Sequence, residues 1–404
     1  MFRHTRSIGV FLWGKHVGDV IPSRTHRNTY AFIYDLAFIE GGVQIAPLEM
    51  PLADRVYEFP GFPQKAFYGL PPAIADSLPD SFGNSLIDRW LAQEGVEKGE
   101  ITALDRLAYT GTRGPGALTF LPNRMLGKVH DSAVVMRDLV EQARQVANHK
   151  IEEFGVQCQL NEIIRLGSSL GGAQAKAVVG WNREQDSFRY GTLDLPPEFE
   201  QWIFKFTPLE HPNRGRIEFE MYELARACGI DMMESRLYEL DGLSHFMTRR
   251  FDREDGSRQH ILTFAAMCHL FPGLSGDAVA SYEQLFMAIE RLGMAYEDKE
   301  QMFRRMVFNV LVDECDDHVK NFAFRLREGG RWELAPAYDL TGTPASCEDD
   351  VWGNFAKIHA ISINGKQQGI TDDDMIKVGD RFGIGNAQAI TAELRDVLKR
   401  KPTI

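Results

Sequence analysis

Hydrophobic and polar positions change rhythm along the chain. From residue 7 to about 60 the apolar residues come in short aromatic and β-branched runs, Ile8–Trp13, Val17–Ile21, Tyr30–Tyr34 and Val43–Pro47, cut by Gly14-Lys15 and Glu40-Gly-Gly. Runs of this kind between glycine turns predict hairpins and a small sheet. Residues 85–91, with Leu86, Ile87, Trp90 and Leu91, predict a helix, and 115–122 a loop and short strand. A boundary is expected near residue 125. Residues 131–150 then place Val134, Val135, Leu139, Val140, Ala143 and Val146 at helical period. Strands are expected at 163–166, 176–179 and 202–206, and a helix over 218–228 that ends at Gly229, a residue suited to the left-handed position after a helix. Beyond Phe251-Asp252-Arg253 the pattern predicts helices over 260–270, 281–293 and 300–314, the last with Phe303, Met306, Val307, Val310 and Leu311 on one face. Asp372-Asp373-Asp374 starts another helix and lacks the spacing of a calcium loop. A β-rich half followed by an α-rich half predicts two lobes with a cleft between them.

Length and charge narrow the function. A chain of 404 residues has room for two or three packed units. Its 45 Lys and Arg against 57 Asp and Glu give a net charge of −12, which argues against direct, sequence-independent binding to a phosphate backbone. Any contact with DNA would be borrowed from a partner. The 5 cysteines (158, 228, 268, 315 and 347) stand singly, with no C-x-x-C pair, as in a reducing compartment. The apolar run after the basic N-terminus is broken by Gly14-Lys15-His16 and lacks a cleavage site. No stretch reaches the roughly 18–20 apolar residues of a membrane span. A soluble, cytoplasmic protein is expected, with no membrane partner.

The sharpest chemical signal is Cys315-Asp-Asp-His-Val-Lys-Asn321. Asp316 precedes Asn321 by the D-x-x-x-x-N spacing with which a kinase catalytic loop sets a carboxylate on the attacking hydroxyl and a carboxamide on magnesium. A helix end followed by a solvated polar loop would carry the same spacing. The continuation favours the first reading. Phe322-Ala-Phe-Arg-Leu alternates, Glu328-Gly-Gly330 is a turn, and Trp332-Glu-Leu-Ala returns to Pro336-Ala-Tyr-Asp339. A hairpin brings Asp339 back beside Asn321, giving two oxygen ligands for a hard cation. His318 reads as a loop-bracing hydrogen-bond donor, Cys315 as buried packing, and the phenylalanines 303, 308, 322 and 324 as core.

Two further segments stay open on their residues alone. Gly167-Ser-Ser-Leu-Gly-Gly-Ala-Gln-Ala-Lys176 is neither a Walker A loop, since Ala173 follows Gly172, nor a dinucleotide fingerprint. Its glycines could admit phosphate to backbone N–H groups, or serve an ordinary turn. Lys205, inside Trp202-Ile-Phe-Lys-Phe, is either a phosphate-holding strand lysine braced by Glu218 thirteen residues on, or an edge lysine facing water.

Together these motifs resemble one family, the HipA-type serine/threonine kinases, the toxin halves of bacterial toxin–antitoxin pairs. The resemblance rests on Ser169-Leu-Gly-Gly-Ala-Gln-Ala-Lys176, Phe251-Asp-Arg253, Asp316-Asp-His-Val-Lys-Asn321, Pro336-Ala-Tyr-Asp339 and Ile361-Ser-Ile-Asn-Gly365, with Leu78-Pro-Asp-Ser-Phe-Gly83 similar to the family's coupling domain. It implies an α+β, two-lobed protein-kinase-like fold: a β-rich coupling subdomain over 1–125, a kinase N-lobe with the Gly-rich loop over 126–250, and a helical C-lobe with the catalytic loop over 251–404. It implies ATP and Mg2+ as cofactors, Asp316 as catalytic base, and Asn321 and Asp339 as metal ligands. The nucleotide would meet Ser169, Gly171, Gly172, Ala173, Gln174, Lys176, Lys205, Arg249 and Phe251 of the hinge, Asp252 near the ribose, and His318 and Lys320, with Glu218 as a structural ion pair. Ser169 would be autophosphorylated, with Ser168 as a second acceptor. The implied partners are a helix-turn-helix antitoxin (HipB-like), operator DNA through that antitoxin, and a protein substrate of the glutamyl-tRNA synthetase class. Asp317 departs from members that carry Gly there and sets two carboxylates side by side; the spacing to Asn321 favours Asp316 as the base. The same scaffold would also suit a small-molecule phosphotransferase, or an idle co-repressor bridging an antitoxin.

Overall fold

Alternating burial shapes the first sheet. The computed structural model describes residues 3–79, 81–93, 95–124, 133–147, 175–191, 195–254, 256–271, 279–342 and 358–400. Strand β1 (Ile8–Leu12) points Ile8, Val10 and Leu12 inward and turns into β2 (Lys15–Pro22) through Trp13-Gly14. Both turn residues have positive φ (48° and 77°), the two-residue turn whose twist matches antiparallel strands. With β3 (Tyr30–Tyr34), β4 (Val56–Tyr57) and β5 (Leu118–Leu121) the order is β4-β3-β2-β1-β5. The strand expected at 43–47 is absent. Asp35 instead accepts from the Ala37 N–H at 2.9 Å and starts the helix Leu36–Glu40, and Val56–Tyr57 takes the sheet edge.

The second sheet has six strands, β6 (Ala133–Val134), β7 (Lys176–Asn182), β8 (Ser187–Tyr190), β9 (Glu200–Lys205), β10 (Ser235–Leu240) and β11 (Leu243–Arg249), in the order β10-β11-β9-β7-β8-β6. The helix Met136–Ala147 lays Met136, Leu139 and Val140 on Val179, Trp181, Trp202 and Phe204. Each such side chain, fully buried, contributes about 1.5–3 kcal/mol. A short hairpin, β12 (Arg253–Glu254) and β13 (Ser257–Arg258), follows. Residues 260–263, expected as helix, form strand β14 (His260–Thr263), with His260 and Leu262 buried in alternation. Only Phe264–Met267 is helical, capped by the Thr263 hydroxyl, which accepts from the Ala266 N–H at 3.2 Å.

The chain divides into two compact units that do not follow sequence order: Met1–Gly215 with Arg236–Ile261, and Arg216–Ser235 with Leu262–Ile404. The first holds both the five-stranded and the six-stranded sheet. The second is mainly helical, with Tyr282–Arg291, Tyr296–Leu311, Asp372–Arg381 and Ala387–Arg400 packed around Phe286, Phe303, Met306 and Phe308, all fully buried. Capping boxes fix two helix starts, Ser281 with Gln284 and Thr371 with Asp374. The helix Arg214–Ala227 begins four residues before the expected start and ends as predicted. Gly229 has φ 73°, and the Ile230 N–H reaches the Ala225 carbonyl at 3.0 Å. The hairpin β15 (Ala323–Leu326) and β16 (Trp332–Leu334) pairs Phe324 with Leu334. Among the described residues no helix is long and apolar enough to cross a membrane.

One buried histidine in the first unit carries a pH dependence. His260 is 1% exposed, and its Nε2 donates to the Ile45 carbonyl at 2.9 Å. Burial pushes its pKa down to about 4, so it folds neutral, whereas an unfolded histidine titrates near 6.5. The stabilising contribution is complete above pH 6.5 and is lost as pH falls from there toward 4, at up to about 1.4 kcal/mol per pH unit. Urea unfolding at pH 7 and pH 5 should show this loss. His260→Gln should be less stable at pH 7 but lose less on acidification; His269, also pushed down to about 4 by burial, retains a second share.

Candidate active site

The long helix Tyr296–Leu311 delivers the chain to the site. Its end passes through Asp313, at φ 53°, into the loop Cys315–Asn321. Hairpin β15–β16 then returns the chain, and Asp316, Asn321 and Asp339 line one concavity of the second unit together with Asn309, Glu314 and Asp317. The juxtaposition expected from the hairpin is therefore present. Asp339 itself has φ 56°, a left-handed conformation that an acidic residue tolerates better than a bulky one. The ring preceding it is pinned, since the Tyr338 hydroxyl donates to the Lys320 carbonyl at 2.7 Å.

The two adjacent carboxylates occupy opposite environments. The Asp316 side chain is 63% exposed. The Asp317 side chain is buried, and its oxygens accept from the Tyr282 hydroxyl (2.9 Å), His359 Nδ1 (2.9 Å) and the Ala360 N–H (2.7 Å). Burial, then the Asp317 charge, push the Tyr282 phenol well up, so it serves as a donor. The backbone of Asp316 is tied at both ends. Asn321 Nδ2 donates to its carbonyl at 2.7 Å, and its N–H donates to Glu314 Oε1 at 3.2 Å. Because the Asn321 amide nitrogen is committed, its oxygen is the atom left for a cation. That oxygen and the Asp339 carboxylate are the hard donors magnesium prefers, and they fit such an ion. His318 braces the loop, but as an acceptor: its Nδ1 meets the Lys320 N–H at 3.2 Å, while its Nε2 lies 3.8 Å from Asp316 Oδ1. The Lys320 residue is exposed, and Cys315 is half-buried rather than buried.

Glu314, which the sequence reading passed over, is 2% exposed. Its Oε2 accepts from the consecutive N–H groups of Thr341 (2.7 Å) and Gly342 (2.8 Å). Burial pushes its carboxyl up to about 7, although these N–H donors act the other way. Its signal in the sequence was only an acid two residues before Asp316 at the end of an apolar helix.

Of the remaining expected residues that the structure describes, Lys176, Lys205, Arg249, Phe251 and Asp252 fall in the first unit, and Glu218 is buried on the helix Arg214–Ala227. Lys176 on β7 and Lys205 on β9 are direct cross-strand partners, 4% and 6% exposed. Directly opposed residues share a sheet face, and like charges so placed repel. Arg249 is exposed and donates to Glu200 Oε1 at 3.1 Å, and Phe251 is half-buried. Asp252, expected near a ribose, requires correction. Both of its oxygens are taken, Oδ1 by Arg250 Nε (2.9 Å) and Oδ2 by Arg250 (2.7 Å), Arg253 and the Gly116 N–H (2.8 Å). Burial would raise this carboxyl, but the two arginine charges hold it well below the usual carboxylate range. Ser168, Ser169, Gly171, Gly172, Ala173 and Gln174, and the strand expected at 163–166, lie outside the described residues.

Comparison with known proteins gives two family matches that together span most of the chain, "HipA N-terminal domain" at residues 8–121 and "HipA-like C-terminal domain" at 168–401. The chain is 28% identical over 216 residues to a protein of Sinorhizobium fredii named putative kinase Y4dM, covering 50% of this chain and 51% of that one. It is 22% identical over 311 residues to the serine/threonine-protein kinase toxin HipA of Shewanella oneidensis, covering 72% of this chain and 66% of that one. The chain thus spans about half to two thirds of the length of these relatives. In structure it is similar to a chain of the Shewanella oneidensis complex of HipA, HipB and operator DNA, with TM-score 0.67, 19% identity, and coverage of 98% of this chain and 92% of the other. This likeness extends the shared α+β fold over nearly the whole chain.

Proposed function

The chain belongs to the HipA family, and from that premise we propose that it is an ATP- and magnesium-dependent serine/threonine protein kinase, the toxin of a toxin–antitoxin pair. The observation that carries the proposal is the convergence of Asp316, Asn321 and Asp339 on one concavity. Phosphoryl transfer asks a protein mainly to position an acceptor and to offset charge on the phosphoryl oxygens. The exposed Asp316 carboxylate is free of the burial that commits Asp317, so it can accept the proton of an incoming hydroxyl and aim its oxygen. Asn321 and Asp339 would hold magnesium, whose charge would offset that of the nucleotide phosphates. In the first unit, the family resemblance assigns Lys176 and Lys205, cross-strand neighbours on β7 and β9, to the nucleotide.

The finer assignments follow the family resemblance. Ser169, with Ser168 beside it, is the self-phosphorylated residue, and a phosphate there adds about −1.5 to −2 charge to a loop meant to meet ATP. The partner is a small HipB-like helix-turn-helix protein, consistent with the neighbouring complex and with a chain whose charge of −12 is unsuited to holding DNA alone. The substrate class is glutamyl-tRNA synthetase. Intact-protein mass spectrometry after incubation with ATP and magnesium is the test. A gain of one phosphate, mapped by peptide sequencing to Ser169 or Ser168, is expected. An unchanged mass, with no labelled phosphate passing to a synthetase, would overturn the proposal.

A further inference from the structure

We propose that Glu314 is a positioning residue that sets the base Asp316 and the metal-holding Asp339 in one frame. The inference rests on the kinase function proposed above. A carboxylate that is 63% exposed, as in Asp316, takes its direction from its backbone more than from packing. That backbone is held by two hydrogen bonds, one of them from the Asp316 N–H to Glu314 Oε1 at 3.2 Å. On the far side of the concavity, Asp339 sits in a left-handed conformation, φ 56°, and so depends on its neighbours to keep it there. The Thr341 and Gly342 N–H groups that follow both aim at Glu314 Oε2, at 2.7 and 2.8 Å. Two successive N–H groups converging on one oxygen form an anion nest, and here the anion is supplied by the protein itself. One buried side chain therefore joins the loop of the base to the segment of the metal ligand, 27 and 28 residues away.

The chemistry calls for a carboxylate at this position. Burying one is costly unless donors surround it, and Glu314, 2% exposed, accepts from three backbone N–H groups, at least one on each oxygen. A glutamine of the same size offers only one acceptor oxygen. Whichever way its amide sits, an NH2 faces an N–H on one side, and either the Asp316 tie or the Thr341–Gly342 tie is lost. Removing groups that orient a metal ligand typically costs 10–100-fold in metal affinity or activity.

The test uses full-length Glu314→Gln. Three quantities are compared with the wild type: kcat for transfer of labelled phosphate from ATP, affinity for a fluorescent ATP analogue without metal, and affinity of the nucleotide complex for Mn2+ by electron paramagnetic resonance. The expected result is kcat lower by about 10–100-fold and weaker Mn2+ binding, with metal-free nucleotide affinity unchanged. A residue that only fastens the helix end would lower the melting temperature and leave kcat and Mn2+ affinity as they were; that outcome overturns the inference. Should Glu314→Gln fail to fold, Glu314→Asp keeps the charge but is one methylene too short to reach both segments, and wild-type kcat and Mn2+ affinity there overturn it equally. A wild type that transfers no phosphate refutes the kinase proposal instead, and the Mn2+ comparison still decides on Glu314.

Discussion

Asp316→Asn should lower phosphoryl transfer by about 10²–10⁴-fold, the usual worth of a general base, while the fold and the affinity for ATP stay close to wild type. The side chain is 63% exposed, so the amide replaces it without burying an unsatisfied group. Its backbone ties to Asn321 and Glu314 do not involve the carboxylate and should survive the change. What is lost is proton acceptance from the hydroxyl and the aim of the nucleophile, neither of which contributes much to holding the nucleotide. The neighbouring variant should behave in the opposite way. Asp317→Asn disturbs a buried carboxylate with three donors, so its main effect should fall on stability. Asp339→Asn should weaken ATP binding in the presence of magnesium and leave metal-free binding alone, because a direct oxygen ligand is degraded. Transfer of labelled phosphate, nucleotide titration with and without magnesium, and urea unfolding separate the three. An Asp316→Asn protein that transfers phosphate at the wild-type rate would take the base away from this residue.

The contrast between Asp316 and Asp317 also marks how far the sequence could be read. Features set by neighbouring residues were legible. The glycine turn at 328–330 closes a hairpin whose strands pair as the alternation implied, and this local fact places Asp339 beside Asn321. The three acids at 372–374 start a helix because Thr371 and Asp374 cap it reciprocally within four residues. Features set by distant residues were not legible. The spacing to Asn321 favours Asp316 over Asp317, but the opposite environments of the two are set by Tyr282, 35 residues before Asp317, and His359, 42 residues after it. Residues 260–263 suit a helix or a strand equally over so short a run, and strand pairing decides. The same holds in part for Phe251-Asp-Arg253: the motif is plain in the sequence, but one partner of its carboxylate, the Gly116 N–H, lies 136 residues earlier.

The Asp252 carboxylate carries the largest stability effect expected in this protein. Asp252→Ala should cost about 3–5 kcal/mol, the penalty for removing one member of a buried ion pair and leaving the other charged. Arg250 and Arg253 are 2% and 9% exposed at their side chains, and both direct guanidinium nitrogens at Asp252. Without the carboxylate, two like charges face each other in a desolvated cluster whose third member, Arg258, already has its pKa lowered to about 10, chiefly by burial. The cluster reaches further. Arg253 and Arg258 donate to the Gly114 and Gly116 carbonyls, Arg258 also to that of Thr112, and the Gly116 N–H returns to Asp252. Gly116 must be glycine for this to close, since its φ is 73° and a Cβ would come within 2.9 Å of Ile261. The segment before the β5 strand is thereby fastened to the strand-hairpin junction after β11. The N-terminal segment is then part of the folded framework, and its removal would strip backbone acceptors from two arginines, Arg253 and Arg258, at once. With a total stability of about 5–15 kcal/mol for a typical domain, the single Asp252→Ala change should bring the urea midpoint sharply down. Asp252→Asn, which keeps one acceptor, should fall between it and wild type. A midpoint unchanged in Asp252→Ala would mean that the arginines find other acceptors, and that the carboxylate is available for a ligand after all.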